Sequence, residues 1–328
     1  MLSSACPASG ICAPLARLRS AWLCACLLLL ACGSPRADEA SLPVVAVAPG
    51  VFVHQGAVAL MSAQNRGAIA NVGFIVGERA VAVVDTGGSA AEGRALLAAV
   101  RGVSDLPVAY VVNTHMHPDH VFGNMAFRGS GPEGGDPAFV GHADLSRALS
   151  SRAEHYLAAN ASLLGNDLAG EIEIVLPDLA VEDRLTLDLG GREIELRAWP
   201  TAHTDNDLTV LDVRTGTLFA GDLLFQRHLP VIDGSLLGWL AIQDELAGLP
   251  ARQVVPGHGP AASPWPDALA PQLAYLEGLA EELRAAIADG AGMAGAVGGI
   301  GPPAGGWALV EEFHRRNTTA AFAELEWE

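Results

Sequence analysis

The chain has 328 residues, 50% of them hydrophobic, and a formal net charge of -18. That is enough apolar material for one large core or two small ones. Lysine is absent, so all 19 basic residues are arginines, and so acidic a chain has no electrostatic footprint for nucleic acid or for an anionic membrane surface.

The N-terminus reads as an export signal. Arg17 and Arg19 precede the apolar run 21–31, and small residues with Pro35 follow. The run is too short for a comfortable membrane span. Leu29-Leu30-Ala31-Cys32 resembles a lipobox, in which Cys32 would carry a lipid; lipid anchoring and simple release into the periplasm are the two outcomes of such a signal. All five cysteines fall within the first 32 residues, so the body has no disulfide, no thiol nucleophile and no thiolate ligand.

After a linker at 33–42, strands are expected at 44–48 and 51–55, then a strand pair at 68–76 and 80–85 joined by a turn at 77–79. A helix follows at 90–100, a buried strand at 108–112 ends at a histidine cluster, and a long amphipathic helix covers 143–164. The second half has strands at 185–189, 193–198, 208–213 and 218–220, and helices at 239–246 and 267–288. In the last of these, Leu269, Leu273, Leu276, Leu279, Leu283 and Ile287 recur at helical spacing and are core. Residues 290–306 read as a Gly/Ala/Pro linker and 307–327 as a final helix packing back on the body. Two halves of strands then helices imply two packed sheets with helices outside.

Four segments carry the chemistry. Thr114-His115-Met116-His117-Pro118-Asp119-His120 places His115 and His117 on one side of an extended turn and sends Asp119 and His120 to a second position. His203 follows Ala202, Asp222 follows Gly221, and His258 lies between Gly257 and Gly259, where missing side chains let a ligand approach closely. Five imidazoles and two carboxylates suffice for two borderline-hard divalent metals with room left for water. Asp85, in Val84-Asp85-Thr86-Gly87, reads either as support for a ligand or as a turn cap. His142 reads as a helix-start residue, and His54, His155 and His314 as surface or packing residues.

This His-x-His-x-Asp-His motif, with His203, Asp222 and His258, resembles the metallo-β-lactamase superfamily over about residues 45–290. The resemblance implies an α/β fold, an αββα sandwich, with a hydrolase domain at 38–290 between the signal region at 1–37 and a Gly-rich linker and helix at 291–328. It implies His115, His117 and His203 on one metal, Asp119, His120 and His258 on a second, and Asp222 bridging. Two Zn2+ per chain would bring a bridging water toward hydroxide near neutral pH, for attack on an ester, thioester, lactone or amide-type carbonyl, with Asp119 also accepting the proton. Ala202 stands where many members have glycine. The phrases Asn71 to Gly77, Ala202 to Leu208 and Asp233-Gly234-Ser235, with Asn317 and Glu324-Leu325-Glu326, look like the SoxH-related quinoprotein relay system zinc metallohydrolases, which resemble exported proteins associated with periplasmic quinoprotein dehydrogenases.

Asn65 and Arg66, in a loop between strands, and Arg227 and His228, just after Asp222, are the candidate contacts to a small-molecule substrate, Arg227 as a carboxylate partner. The alternatives are a mononuclear iron oxidoreductase resembling sulfur dioxygenases, a β-lactamase, and a non-catalytic quinoprotein accessory factor. Zinc β-lactamases of the nearest ligand type carry a cysteine where this chain has Asp222, and a lysine that this chain lacks.

Overall fold

A computed structural model describes residues 40–328; the expected signal segment, Cys32 included, lies outside them. The first sheet takes its strands in chain order: β1 (Val45–Ala48), β2 (Val51–His54), β3 (Val72–Val76), β4 (Val81–Val84), β5 (Val108–Val112), β6 (Ala138–His142) and β7 (Leu179–Val181). Pairing is antiparallel from β1 to β4 and parallel from β4 to β7. The second sheet contains β8 (Arg184–Asp188), β9 (Glu193–Ala198), β10 (Leu208–Asp212), β11 (Thr217–Phe225), β12 (Gln253–His258) and β13 (Ser263–Pro264), adjacent in that order, with only β11 and β12 parallel. The helices are α1 (Ala90–Val103), α2 (Pro118–Val121), α3 (Leu145–Leu164), α4 (Asn166–Ala169), α5 (Leu236–Ala241), α6 (Gln243–Ala247), α7 (Ala270–Ala288), α8 (Met293–Gly299) and α9 (Val310–Leu325). None of the described helices is long and apolar enough to cross a membrane.

The period of two sorts the strand residues into layers. Ala82, Val84 and Ile75 of the first sheet meet Leu196, Val210 and Phe219 of the second in a central core. Their neighbours Val81, Val83 and Phe74 face the other way and pack on Leu96, Ala99 and Val100 of α1. On the far side, Leu218 and Ala220 pack beneath Trp239 of α5, Leu276 and Leu283 of α7 and Phe322 and Leu325 of α9. The layers therefore run helix, sheet, sheet, helix, as expected for an αββα sandwich. Arg192 ties the sheets together: its guanidinium makes paired bonds of 2.8 and 2.7 Å to Asp212 and also donates to the carbonyls of Val76 and Pro49. Both charges are buried, so each depends on the other for solvation.

Several elements differ from the sequence expectation. β3 begins at Val72, not at 68, because Asn71 leaves the sheet edge and binds Pro256 and Gly56. The helix expected at 239–246 is two short helices that meet at Ile242. β11 runs on through Asp222 to Phe225, so this ligand lies within a strand and not beyond its end. The Gly-rich stretch 290–306 contains α8, in which Ala296 packs into the outer core.

Candidate metal centre

Ligands arrive from both sheets. Asp85 follows β4 and the 113–120 segment follows β5, at the C-terminal ends of adjacent parallel strands, where loops rest on a rigid frame. Asp222 and His258 come from the parallel pair β11 and β12, whose register shifts between Gly221 and Phe225. Two glycines make this close approach feasible. Gly221 has φ +52, and a Cβ there would meet Thr114 at 2.7 Å; a Cβ on Gly257 would lie 1.8 Å from Asp222 Oδ1. His203 sits in the loop after β9, closed by Asp207, which accepts from the Thr204 amide at 2.9 Å and the Thr204 hydroxyl at 2.6 Å.

The seven side chains form two groups, His115, His117, His203 and Asp222 in one, and Asp119, His120 and His258 in the other. In the first, His117 Nδ1 lies 3.0 Å from His115 Nε2 and 2.9 Å from His203 Nε2, and Asp222 Oδ2 lies 3.6 and 3.4 Å from the same two Nε2 atoms. In the second, Asp119 Oδ2 is 3.2 Å from His258 Nε2 and 3.6 Å from His120 Nε2. Asp222 Oδ1 reaches this group too, 3.3 Å from His120 and 3.5 Å from His258. Asp222 thus divides its two oxygens between the groups.

The outer nitrogen of each ring is occupied. His203 Nδ1 donates to Val231 O at 2.7 Å and His258 Nδ1 to Ile69 O at 3.0 Å. His120 Nδ1 meets Asp85 Oδ2 at 2.8 Å, and His117 Nε2 meets Asp233 Oδ2 at 3.1 Å. The Thr114 hydroxyl gives its proton to Asp85 at 2.7 Å, leaving a lone pair for His115 Nδ1 at 3.1 Å. With their protons outside, the inward nitrogens of His115, His117 and His203 present lone pairs to one another. Those contacts are not hydrogen bonds; they need a cation between them. Four ligand atoms around a tetrahedral ion at ~2.0–2.1 Å lie about 3.3 Å apart, which matches this spacing. His120 Nε2 and Asp222 Oδ1 are buried with no hydrogen-bond partner among the described residues, as ligand atoms would be. The residues fit two divalent metal ions.

Asp85 is therefore a support for His120 and Thr114, held at a left-handed φ of 56° that such a residue adopts only when its surroundings fix it. His142, buried at the end of β6, accepts the amide of Asp144 at 3.0 Å at the start of α3. His54 and His314 are buried packing residues; His155 is exposed and lines the metal-facing cavity.

That cavity measures about 520 Å³ and is bounded by His117, Asp119, Asp222, His258, α3, α9 and the 59–61 segment. Of the four expected substrate contacts, only His228 lines it. Asn65 is spent on its own loop: its side chain accepts from the amides of Ser62 and Gly67 and donates to Leu60 O. Arg66 is exposed near the loop tip, where its carbonyl accepts from Ser89. The apolar flank of this loop, Leu60 and Met61, forms the cavity wall instead. Arg227 is exposed at a left-handed φ of 74° and lines a separate groove beside Trp307. The sequence reading missed Asp233 as the partner of His117. Arg316 of α9 grips its other oxygen at 2.7 Å.

Burial opposes charge on His115, His120, His203 and His258, and the local carboxylates decide which of these four carry it. Burial and the neighbouring histidines hold His115 well below the usual histidine range, and burial brings His203 down to about 3. Near Asp222 and Asp119 the balance reverses: His258 rises to about 9, and His120 also rises. Burial lifts Glu92 and Asp207 to about 8. A raised folded-state pKa stabilises below the unfolded value and loses that effect as pH climbs through the folded value. From about pH 7.5, a unit above the free histidine value, to 9, His120, His258, Glu92 and Asp207 all act in this direction, while His115 and His203 are largely neutral in both folded and unfolded chains. Metal-free protein is therefore expected to melt at steadily lower temperature across that range, and calorimetry with a chelator present checks it. A melting temperature that rises from about pH 7.5 to 9 would refute the assignment.

An αββα sandwich with paired His/Asp ligand groups at the sheet ends defines a dinuclear metal protein of metallo-β-lactamase type. The family profile described as the metallo-beta-lactamase superfamily matches residues 65–258, and the chain belongs to that superfamily. A 45-residue stretch is 49% identical to the linear primary-alkylsulfatase of Pseudomonas sp. (strain ATCC 19151), covering 14% of this chain and 8% of that protein. The structure of the inverting sec-alkylsulfatase Pisa1 from Pseudomonas sp. superposes with TM-score 0.65 at 16% identity, over 86% of this chain and 50% of that one. A metallo-beta-lactamase from Pontibacter korlensis superposes with TM-score 0.56 at 20% identity, over 72% and 99%. The chain thus spans half, or far less, of the alkylsulfatases it resembles, and at these identities the structural likenesses show the fold.

Proposed function

We propose that this chain is an exported two-zinc hydrolase acting on an ester, thioester, lactone or amide-type bond. The observation that carries the proposal is the Asp222 carboxylate, with one oxygen set in each ligand group. A pair of divalent ions bound there would supply Lewis acidity and a water acidic enough to ionise near neutral pH. Zinc suits a set of imidazoles and carboxylates at tetrahedral spacing.

The remaining steps belong to the chain's own residues. Burial raises the Asp119 pKa, but His120 and the bond to His258 outweigh it and hold the carboxyl at about 2. Its Oδ1 has no hydrogen bond among the described residues, so an ionised oxygen faces the cavity and can take a proton from the attacking water. Burial lowers His228 to about 4, so this ring is neutral. Its Nδ1 donates to Leu229 O at 2.8 Å, which leaves Nε2 as an acceptor toward the cavity. The Phe225, Ile69 and Phe313 side chains line the same space and limit bulk water around the reacting groups.

A second reading, hydrolysis of alkyl sulfates, is favoured by the alkylsulfatase likenesses together with this apolar lining. Periplasmic residence and association with a quinoprotein dehydrogenase system extend the proposal; the Arg17–Arg19 signal pattern and the 71–77 and 317–326 phrases support them.

Elemental analysis and a turnover panel test both readings. About two zinc ions per chain and turnover of carbonyl esters, thioesters or lactones are expected, with β-lactams far below the ~10⁴ M⁻¹s⁻¹ at which ordinary enzymatic kcat/KM values begin. Turnover confined to alkyl sulfates would select the second reading. Stoichiometric iron with no zinc-dependent turnover would point to an oxidoreductase, and no turnover of either class would sink the hydrolase.

A further inference from the structure

The cavity wall supplied by α3 changes character along its length. Arg152, His155, Tyr156, Ala159 and Leu163 all line the cavity, and their spacing places them on one helical face. From Arg152 to Leu163 that face spans about 16 Å at the α-helical rise. Its far end is aliphatic, shared with Leu60 and Met61, and both Leu163 and Leu60 are about half exposed, at 49% and 48%. Both therefore offer an apolar surface that is still open to water.

The near end is cationic. Two arginines line the cavity, and Arg316 is committed to Asp233. Arg152 is partly buried yet makes no hydrogen bond or ion pair among the described residues. Its helix offers none, since Ala148, Leu149, His155 and Tyr156 occupy the positions three and four residues away. In a chain with 37 acidic residues against 19 basic ones, a partly buried arginine with no carboxylate in contact stands out; Asp205, the acid that feels its charge, is paired with Arg147 at 2.9 Å. Tyr156 lies one turn on, and burial pushes its phenol up, so it stays a neutral donor. Its hydroxyl has no hydrogen-bond partner among the described residues either.

We propose that Arg152 and the Tyr156 hydroxyl seat an anionic group of the substrate, and that the Ala159–Leu163 face with Leu60 and Met61 seats its hydrocarbon portion, so that the substrate is an anionic amphiphile. Naming this molecule the substrate rests on the hydrolase reading; its binding does not.

Calorimetric titration of the zinc-loaded protein with decanesulfonate and with decanol separates the two. Neither probe carries a bond that the proposed chemistry cleaves, and a sulfonate is a weak metal ligand, so the result is independent of turnover. Decanesulfonate is expected to bind about tenfold or more tighter than decanol, as a charge-assisted arginine contact implies. Arg152→Met should erase that advantage, Arg152→Lys should keep most of it, and added salt should shrink it. Decanol should bind all three proteins alike. Equal binding of the two probes to the unaltered protein, or undiminished sulfonate binding by Arg152→Met, would overturn the proposal. So would a parallel loss of decanol binding, which would mark Arg152 as a packing residue. A failed hydrolase reading would show only in the turnover panel.

Discussion

Asp222→Ala is expected to bring bound metal down toward one ion per chain and to lower turnover by about three orders of magnitude or more, with the fold retained. Asp222 is 4% exposed, and its two oxygens lie 3.3 to 3.6 Å from four ring nitrogens in two groups. Its loss would leave two cations facing each other in a poorly screened site with one negative charge fewer. The backbone there depends on Gly221 and Gly257, which the substitution does not touch. Asp222→Cys is the finer variant: a thiolate can serve the Asp119 group but is poorly placed to span both, so that metal should stay while the rate changes. Elemental analysis, kcat/KM and thermal melting read the result. Two metals with near-normal turnover in Asp222→Ala would remove the basis of the catalytic reading.

Asn317→Ala should lower stability by roughly 2–6 kcal/mol, because two buried backbone groups lose their partners at about 1–3 kcal/mol each. Its Oδ1 accepts from the Ile232 amide at 3.0 Å, and its Nδ2 donates to Pro230 O at 2.6 Å and to the Tyr275 hydroxyl at 3.0 Å. Between these anchor points lies Val231, whose carbonyl fixes His203. The variant should therefore melt roughly 5–15 °C lower and also give up metal from the His115 group more readily to a competing chelator. Asn317→Asp, which keeps the acceptor for Ile232, should fall between. A lowered melting temperature with unchanged chelator competition would show that the brace does not extend to His203.

These residues also show where sequence reading works. The seven converging side chains were legible as candidates because each lies in a short phrase whose spacing and glycines are themselves the local geometry. β5 and β9 were legible to the residue, as continuous or alternating apolar runs. β6 was not: it is five residues including Gly141 and His142, and its pairing with β5 and β7 is what makes it a strand. Arg227 was chosen for its nearness to Asp222 in the chain, but a left-handed turn takes its side chain to another groove. Arg152 was overlooked for the converse reason. Helical periodicity marked α3, yet which face meets the cavity is decided by packing across the molecule; the only local hint was an arginine without an acidic residue three or four positions away.

The brace from α9 extends beyond Asn317. Glu324 accepts from the Ser235 hydroxyl and from the Leu236 amide at 2.8 Å, and Ala308 forms a bridge with His228. All seven metal-facing side chains lie at or before residue 258, but the loop that aims His203 and carries Asp233, although its amides already reach Ala202 and His203, gains its outer anchors from residues 308 to 324. An ion that meets the nascent chain finds the ligands before it finds their geometry. Protein sites select among divalent metals by geometry and availability more than by raw affinity. A site whose final bracing waits for α9 would therefore take its ion from the metal supply at the time α9 docks, not from the supply at the time its ligands are made.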